Sequence, residues 1–344
     1  MKNKPPYLLF TLGLLLCLLL FVLNLSIGSV HIPFGEIAGR LVGKPLPKTS
    51  WETILIEYRL PKAVTAILAG ISLSVSGLQM QTFFRNPLAG PYVLGISSGA
   101  GLGVAILLMA SSAFGWLLYQ GSLGIWPIIL AASLGAILVL LLMSLTAWKV
   151  KDSMTLLIVG LMFGAAVSAL ISVLAYFSEA EQLKLFTIWS MGSLGGSSYA
   201  QLTGFSFALI LGSFPMLYML KSYNAMLMGE AYAESMGVNI SRLRWGMIIS
   251  TGILAGSATA FCGPIAFIGI AVPHMARLVF KTADHRVLLP GSALAGAIIL
   301  LFCDAISQLP GSAQTLPINA VTSLIGAPMV IWLILRRNFS KEFS

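Results

Sequence analysis

The chain repeatedly runs for about twenty residues with hardly a charge. Such runs extend over about Tyr7–Ile27, Arg59–Gln79, Tyr92–Met109, Ile125–Trp148, Met154–Tyr176, Leu202–Leu220, Trp245–Cys262, Leu289–Gln308 and Asn319–Leu335. A shorter one passes through GPIAFIGIAVPHMARL, interrupted by Pro264 and Pro273. About twenty apolar residues is the helical length of a bilayer core. Backbone groups in lipid must bond among themselves, which such runs achieve as helices. The pattern predicts an all-α, polytopic membrane protein of about ten transmembrane helices. It forms a single domain over residues 1–344. At 58% hydrophobic and 9% charged, the chain leaves no stretch for a soluble domain.

Charge placement sets the expected orientation. With the N-terminus inside, Arg40, Lys44, Lys48, Arg59, Lys62 and Lys184 fall outside and the other fourteen of the twenty Lys and Arg fall inside. That excess obeys the positive-inside rule. It predicts a multi-pass protein of the cell inner (cytoplasmic) membrane with both termini cytoplasmic. The net charge of +9 thus reports topology, and no basic stripe with interleaved aromatics points to nucleic acid. The basic start resembles a signal peptide, but its apolar run is longer than a signal core and no A-x-A site follows, so a retained first span is expected. Cys17, Cys262 and Cys303 lie inside apolar runs and read as small buried hydrophobes.

One polar island interrupts this pattern, KSYNAMLMGEAYAESMGVNISRLRW from Lys221 to Trp245. Ser222 or Asn224 are candidate helix caps, Gly237 a helix end, and Asn239 or Ser241 the start of the next helix. It reads as one or two short helices outside the bilayer, joined to the spans on either side. Such an element can pass a push from a soluble partner into the membrane. A second polar stretch, PFGEIAGRLVG, reads as an interfacial helix with Ile37 and Leu41 on one face. Glycines at four-residue spacing, Gly95/Gly99/Gly103, Gly160/Gly164 and Gly252/Gly256, permit close helix contact within one subunit or at a dimer seam.

The spans lack the usual signs of self-powered transport. Asp304 is the only acid well inside a span, and it fits a partner of a nearby polar group at least as well as a pathway residue. No G-x-x-x-x-G-K-[ST] sequence occurs, so energy from ATP would have to come from a separate ATPase. His31, His274 and His285 lie in separate segments, which gives no metal site and no catalytic grouping. Arg59 and Lys62, at the start of the second span, read either as anchors at headgroup level or as a basic patch for an acidic partner.

Six motifs taken together resemble the FecCD family of ABC-importer permeases, which includes vitamin B12, ferric siderophore and haem permeases. They are RLPK (Arg59–Lys62), SGLQMQTFFRNPLAGPYVLGISSGAG (Ser76–Gly101), WSMGSL (Trp189–Leu194), GEAYAESMGV (Gly229–Val238), GPIAFIGIAVPHMARL (Gly263–Leu278) and LPINAVTSLIGAPMVIWLI (Leu316–Ile334). The resemblance implies a type II importer fold of ten helices per subunit and a homodimer. It implies two cytoplasmic ATPase subunits that hydrolyse the ATP, and a periplasmic or lipid-anchored substrate-binding protein. This chain itself would bind no cofactor and no metal, and would have no enzyme activity. The island, about residues 221–242, becomes the ATPase coupling loop. There Gly229, Glu230, Ala233 and Gly237 match the family's spaced positions, the small residues seating the helix in an ATPase groove and Glu230 offering a charge. Arg59 and Lys62 match the pair that meets the binding protein. Ser153, Thr155, Gly160 and Gly164 fall in the segment implied to line the passage and its inner gate. Asp304 is followed at four residues by Gln308, where the family often carries Arg, and the PGSAQT loop beyond it has no basic residue. The expected cargo is a ferric siderophore, with cobalamin or haem as alternatives. An ion-coupled secondary transporter is the rival of another class, distinguished by uptake on an ion gradient without ATP.

Overall fold

The computed structural model describes residues 6–109, 125–150, 152–308 and 315–335. Among them every regular element is a helix, and the single β contact is an isolated bridge between Gln308 and Thr315. Helix α1 spans Pro6–Ser26, the short α2 Phe34–Leu41 and α3 Thr49–Thr53, and α4 Leu60–Phe83. A π-helical turn, Ile54–Arg59, joins α3 to α4 as one continuous 35-residue rod. After the RNPLAGP turn, a single helical turn at Pro91–Leu94 leads into α5, Ile96–Met109. Then come α6 (Trp126–Lys149), α7 (Ser153–Phe177), α8 (Ala180–Ser190) and α9 (Tyr199–Tyr218). The island folds as α10 (Leu220–Met226) and α11 (Glu230–Ser235). The chain closes with α12 (Ile240–Cys262), α13 (Ile268–Phe280), α14 (His285–Ser307) and α15 (Ile318–Leu335). Pro273 lies inside α13 rather than breaking it.

Seven of these helices are long and apolar enough to cross a bilayer, and α5, α13 and α15 are shorter apolar helices. Together they stand where the ten runs were expected. Gly263 and Phe267, with φ of 72° and 66°, turn the chain into α13, and the Ala266 N–H donates to Asn319 Oδ1 at 3.0 Å.

Helix α4 is the hub. Its span is 78% buried, against 17% for α1 and for α7. It packs on α14, α12 and α13. The contacts are made at glycines: a Cβ on Gly70 would strike the Gly296 carbonyl, and one on Gly77 the Gly269 carbonyl. Small residues let backbones meet, which supplies the dispersion contact that drives helix association in lipid. The glycines at four-residue spacing do the same inside this subunit: Gly99 faces Gly135 and Gly103 faces Ala131 across α5 and α6, and Gly252 faces Leu140.

Capping fixes the starts of several spans. Ser198 accepts from the Gln201 N–H in a reciprocal capping box at α9, Asn239 caps α12 and Asp284 caps α14. Ser222 and Asn224, read as caps from the sequence, lie inside α10 instead, and α10 begins directly after α9 at Leu220.

Candidate functional site

The bundle has two ends. At one, Arg59 and Lys62 begin α4 beside the ends of α1 and α14. At the other, the island meets the starts of α12 and α14. Helix α14 connects them, and its 23 residues reach about 35 Å at 1.5 Å each. The island therefore lies a bilayer's thickness from Arg59.

The island is fastened to the core from both of its helices. On α10, Tyr223 is fully buried and donates to Gln79 Oε1 on α4 at 3.0 Å. Gln79 Nε2 donates in turn to Ser250 Oγ on α12 at 2.8 Å. Asn224 donates to Asp284 Oδ1 at 2.7 Å and accepts from the His285 N–H at 2.8 Å. His285 Nε2 sits 2.8 Å from Thr82 Oγ1, back on α4. The backbone Arg286 N–H and Asn224 together hold the Asp284 carboxyl below its ordinary range. On α11, Glu230 receives both of its oxygens' bonds from Arg244 Nη2, at 2.8 and 2.7 Å. A movement of α10 or α11 thus pulls directly on α4, α12 and α14.

These contacts give the coupling residues roles within the chain as well. Glu230 is engaged by Arg244 within the chain, so it clamps α11 onto α12. Ala233 is completely buried against the protein's own core, because a larger side chain would lift α11 away. Gly229 opens α11 at φ 107° and Gly237 ends it at φ 83°. Gly237 N–H donates to Glu234 O and Val238 N–H to Ala233 O, the paired closure that favours glycine. The free surface of the island is a different set: Met228, Tyr232 and Met236 are 68%, 49% and 61% exposed, with Glu234 exposed beside them. These three large apolar side chains stand exposed on an otherwise polar element. A cavity of about 490 Å³ opens beside Glu234, lined by Trp148, Glu230, Glu234, Arg244 and Trp245.

At the other end, Arg59 and Lys62 do not form an exposed basic patch. Arg59 is buried and donates to the carbonyls of Leu25 and Ser26, at the end of α1, and of Val30 in the turn beyond it. Lys62 pairs with Asp304 at 2.9 Å, and Asp304 is almost fully buried. Gln308 donates to Asp304 Oδ2 at 3.1 Å and to Asn24 Oδ1 at 3.2 Å. Asp304 is thus a satisfied structural partner, and Gln308 ties α14 to α1. Arg59, Lys62 and Asp304 line one wall of a cavity of about 420 Å³ whose other wall is the Gly192–Gly196 turn. Most of the PGSAQT loop, residues 310–314, lies outside the described residues.

Helix α7 carries the candidate path. Asp152 caps it, accepting from Thr155 N–H at 2.7 Å and from the Thr155 hydroxyl at 2.6 Å, and these bonds lower the Asp152 pKa. The Ser153 side chain lies outside the described residues. Gly160 and Gly164 are on the packed side, against Val93 and Ser98. The open side presents Thr155, Ala165, Ala166, Ser168, Ala169 and Ser172 among apolar residues. Helix α1 is equally exposed, yet its open side is a row of leucines.

The fold matches that of a solved ABC transporter of proposed metal-chelate type in an inward-facing conformation. The match covers 96% of this chain and 99% of that one, with a TM-score of 0.82 and 29% identity. The class is therefore the membrane-embedded permease of an ABC importer. The FecCD transport family model matches residues 16–336, and the chain belongs to that family. The hemin transport system permease protein HmuU of Yersinia pestis is 34% identical over 327 residues, 95% of each chain. The vitamin B12 import system permease protein BtuC of Salmonella paratyphi A is 37% identical over 289 residues, 83% of this chain and 84% of the relative.

Proposed function

We propose that this permease works as a homodimer that passes a ferric siderophore through the cell inner membrane by alternating access. The motor is a pair of cytoplasmic ATPase subunits, and cargo arrives on a periplasmic or lipid-anchored binding protein. The observation that carries this reading is the island, wired into α4, α12 and α14 on one side and displaying Met228, Tyr232, Met236 and Glu234 on the other. A partner that moves this surface moves the span starts with it, and ATP supplies the differential contacts that shift the equilibrium.

The excess of Lys and Arg at the island end supports placing it, and both termini, in the cytoplasm. The cavity at the Arg59 end then faces outward, where the binding protein docks over Lys62 and the Gly192–Gly196 turn. The small and hydroxyl-bearing residues interspersed among the apolar ones on the open side of α7 support a path between two copies, since the leucines of α1 offer no such polar groups. Haem and cobalamin permeases among the relatives support a bulky metal chelate as the cargo class, and the ferric siderophore is the member we assign.

The test is uptake by the complete transporter in proteoliposomes. ATP-dependent entry of a ferric siderophore, exceeding that of hemin and of cyanocobalamin, is the expected result. Preferred hemin or cobalamin uptake would replace the cargo and keep the mechanism. Uptake by this chain alone on an ion gradient, without ATP, would overturn both.

A further inference from the structure

On the other flank of the island a groove of about 640 Å³ opens, and its chemistry is unlike that of the cavity beside Glu230. Three cations from three elements line it: Lys221 on α10, Arg242 in the first turn of α12 and Arg286 in the first turn of α14. All three are exposed. The ion pairs given by the described residues are Arg40–Glu52, Lys62–Asp304 and Arg244–Glu230, and none draws on these three. The nearby Asp284 carboxylate is turned to the Asn224 amide and the Arg286 N–H. The lower wall of the groove is apolar. It includes Leu217 and Tyr218, the last turn of α9, which are 54% and 79% exposed. Helix α9 is a candidate span, so these two side chains sit where a membrane helix leaves the hydrocarbon, the level at which tyrosine collects.

Cations above an apolar wall at that depth match one ligand chemistry, a phosphate whose attached chains stay in the bilayer. We propose that this groove binds the headgroup of an anionic phospholipid, its phosphate held by Lys221, Arg242 and Arg286 and its acyl chains lying along α9. A basic pocket between spans on the cytoplasmic side suits such a headgroup. The bound lipid bridges α10 to the starts of α12 and α14, adding to the Asn224 contact between α10 and α14 and the Arg244 contact between α11 and α12. It therefore stiffens the island against the membrane domain, and the lipid composition of that leaflet tunes coupling.

The experiment needs neither ATP nor cargo, so it succeeds or fails independently of the proposed import. The full-length chain is placed in nanodiscs of phosphatidylcholine with a minor share of phosphatidylglycerol, then released and weighed by native mass spectrometry. Retained phosphatidylglycerol should fall roughly five-fold for Arg242→Gln and about a hundred-fold for Lys221→Gln/Arg242→Gln/Arg286→Gln, from the attraction each cation adds near an anionic surface. Lys44→Gln/Lys48→Gln/Lys184→Gln, which neutralises three exposed cations at the other end, should leave retention unchanged. Millimolar inorganic phosphate should fail to displace the lipid. Equal retention by wild type and the first triple variant would overturn the site. Displacement by free phosphate would make it a soluble-anion site. Unchanged retention with loss of the ATPase from the complex would make it a protein contact. Arg242→Gln alone keeps the test open if the triple variant does not fold.

Discussion

Single side chains settle where the bundle's polar groups go. Lys62 and Asp304 are the sharpest case, because one partner without the other leaves a charge inside the protein. Lys62→Met should lower stability by about 3 kcal/mol, and adding Asp304→Leu should recover most of it, read as melting in detergent. A double variant no more stable than Lys62→Met would show that the pair is not what matters there. Tyr223 offers a second test. Tyr223→Phe keeps the ring and removes the donor to Gln79 Oε1, so the buried amide loses a partner at a cost of about 1–2 kcal/mol. The proposed coupling adds a further readout, since the same variant should consume more ATP per cargo molecule moved. Asp284 titrates. Its folded pKa lies below the usual 3.8, so its contribution is complete above that pH and disappears as pH falls through the depressed value. Asp284→Ala should cost about 1 kcal/mol at pH 7 through loss of the α14 cap. The melting difference from wild type should close under stronger acid.

Among the elements, α4 has the composition of a helix surrounded by protein. Its buried face carries Ser72, Ser74, Ser76, Gln79, Gln81 and Thr82 beside small residues. Lipid would not accept that face, whereas neighbouring helices offer partners such as the Ile270 carbonyl, which accepts from Gln81 Nε2 at 3.0 Å. Its glycines set how near α13 and α14 can come. Gly77→Val would drive a branched side chain into the Gly269 backbone, which cannot yield as a side-chain tip would. A loss of at least about 2 kcal/mol, or failure to accumulate in the membrane, is expected. Gly35→Ala, with open space around it, serves as the neutral comparison.

For the whole molecule the question is whether force on the island reaches the spans. Glu230→Gln weakens the clamp to Arg244, and Gly237→Ala strains the end of α11 by about 1 kcal/mol at a positive φ. Both chains should still fold, since the core of the bundle is untouched. In the assembled transporter each should keep ATPase activity while losing several-fold in uptake. Uptake and cargo-stimulated ATPase that both stay at wild-type levels would refute the coupling role of α11. Tyr232→Ser should instead loosen ATPase association, because Tyr232 is on the displayed side of the island.

The sequence determined the helical class, the order of the spans, the place of the island between α9 and α12, and its family. All of these are written in local signals: run length, charge placement, the Gly237 stop, the Asn239 cap and contiguous motifs. The family resemblance also proposed Glu230 and Ala233 for the ATPase contact and Arg59 for docking. What each of them packs against within the chain was not legible there, because the direction a side chain takes on a short helix is set by its tertiary neighbours. Only the tertiary structure placed Arg244 opposite Glu230, fourteen residues on, and turned Ala233 inward. Only it sent Tyr223 and Asn224 to partners more than fifty residues away. It also separated two equally exposed apolar helices, α1 clothed in leucine and α7 with alanines, serines and a threonine interspersed among its exposed apolar residues. In lipid, hydropathy reports that a segment is buried in the membrane but is nearly the same toward a tail or a neighbouring helix, so only packing decides which neighbour each face has.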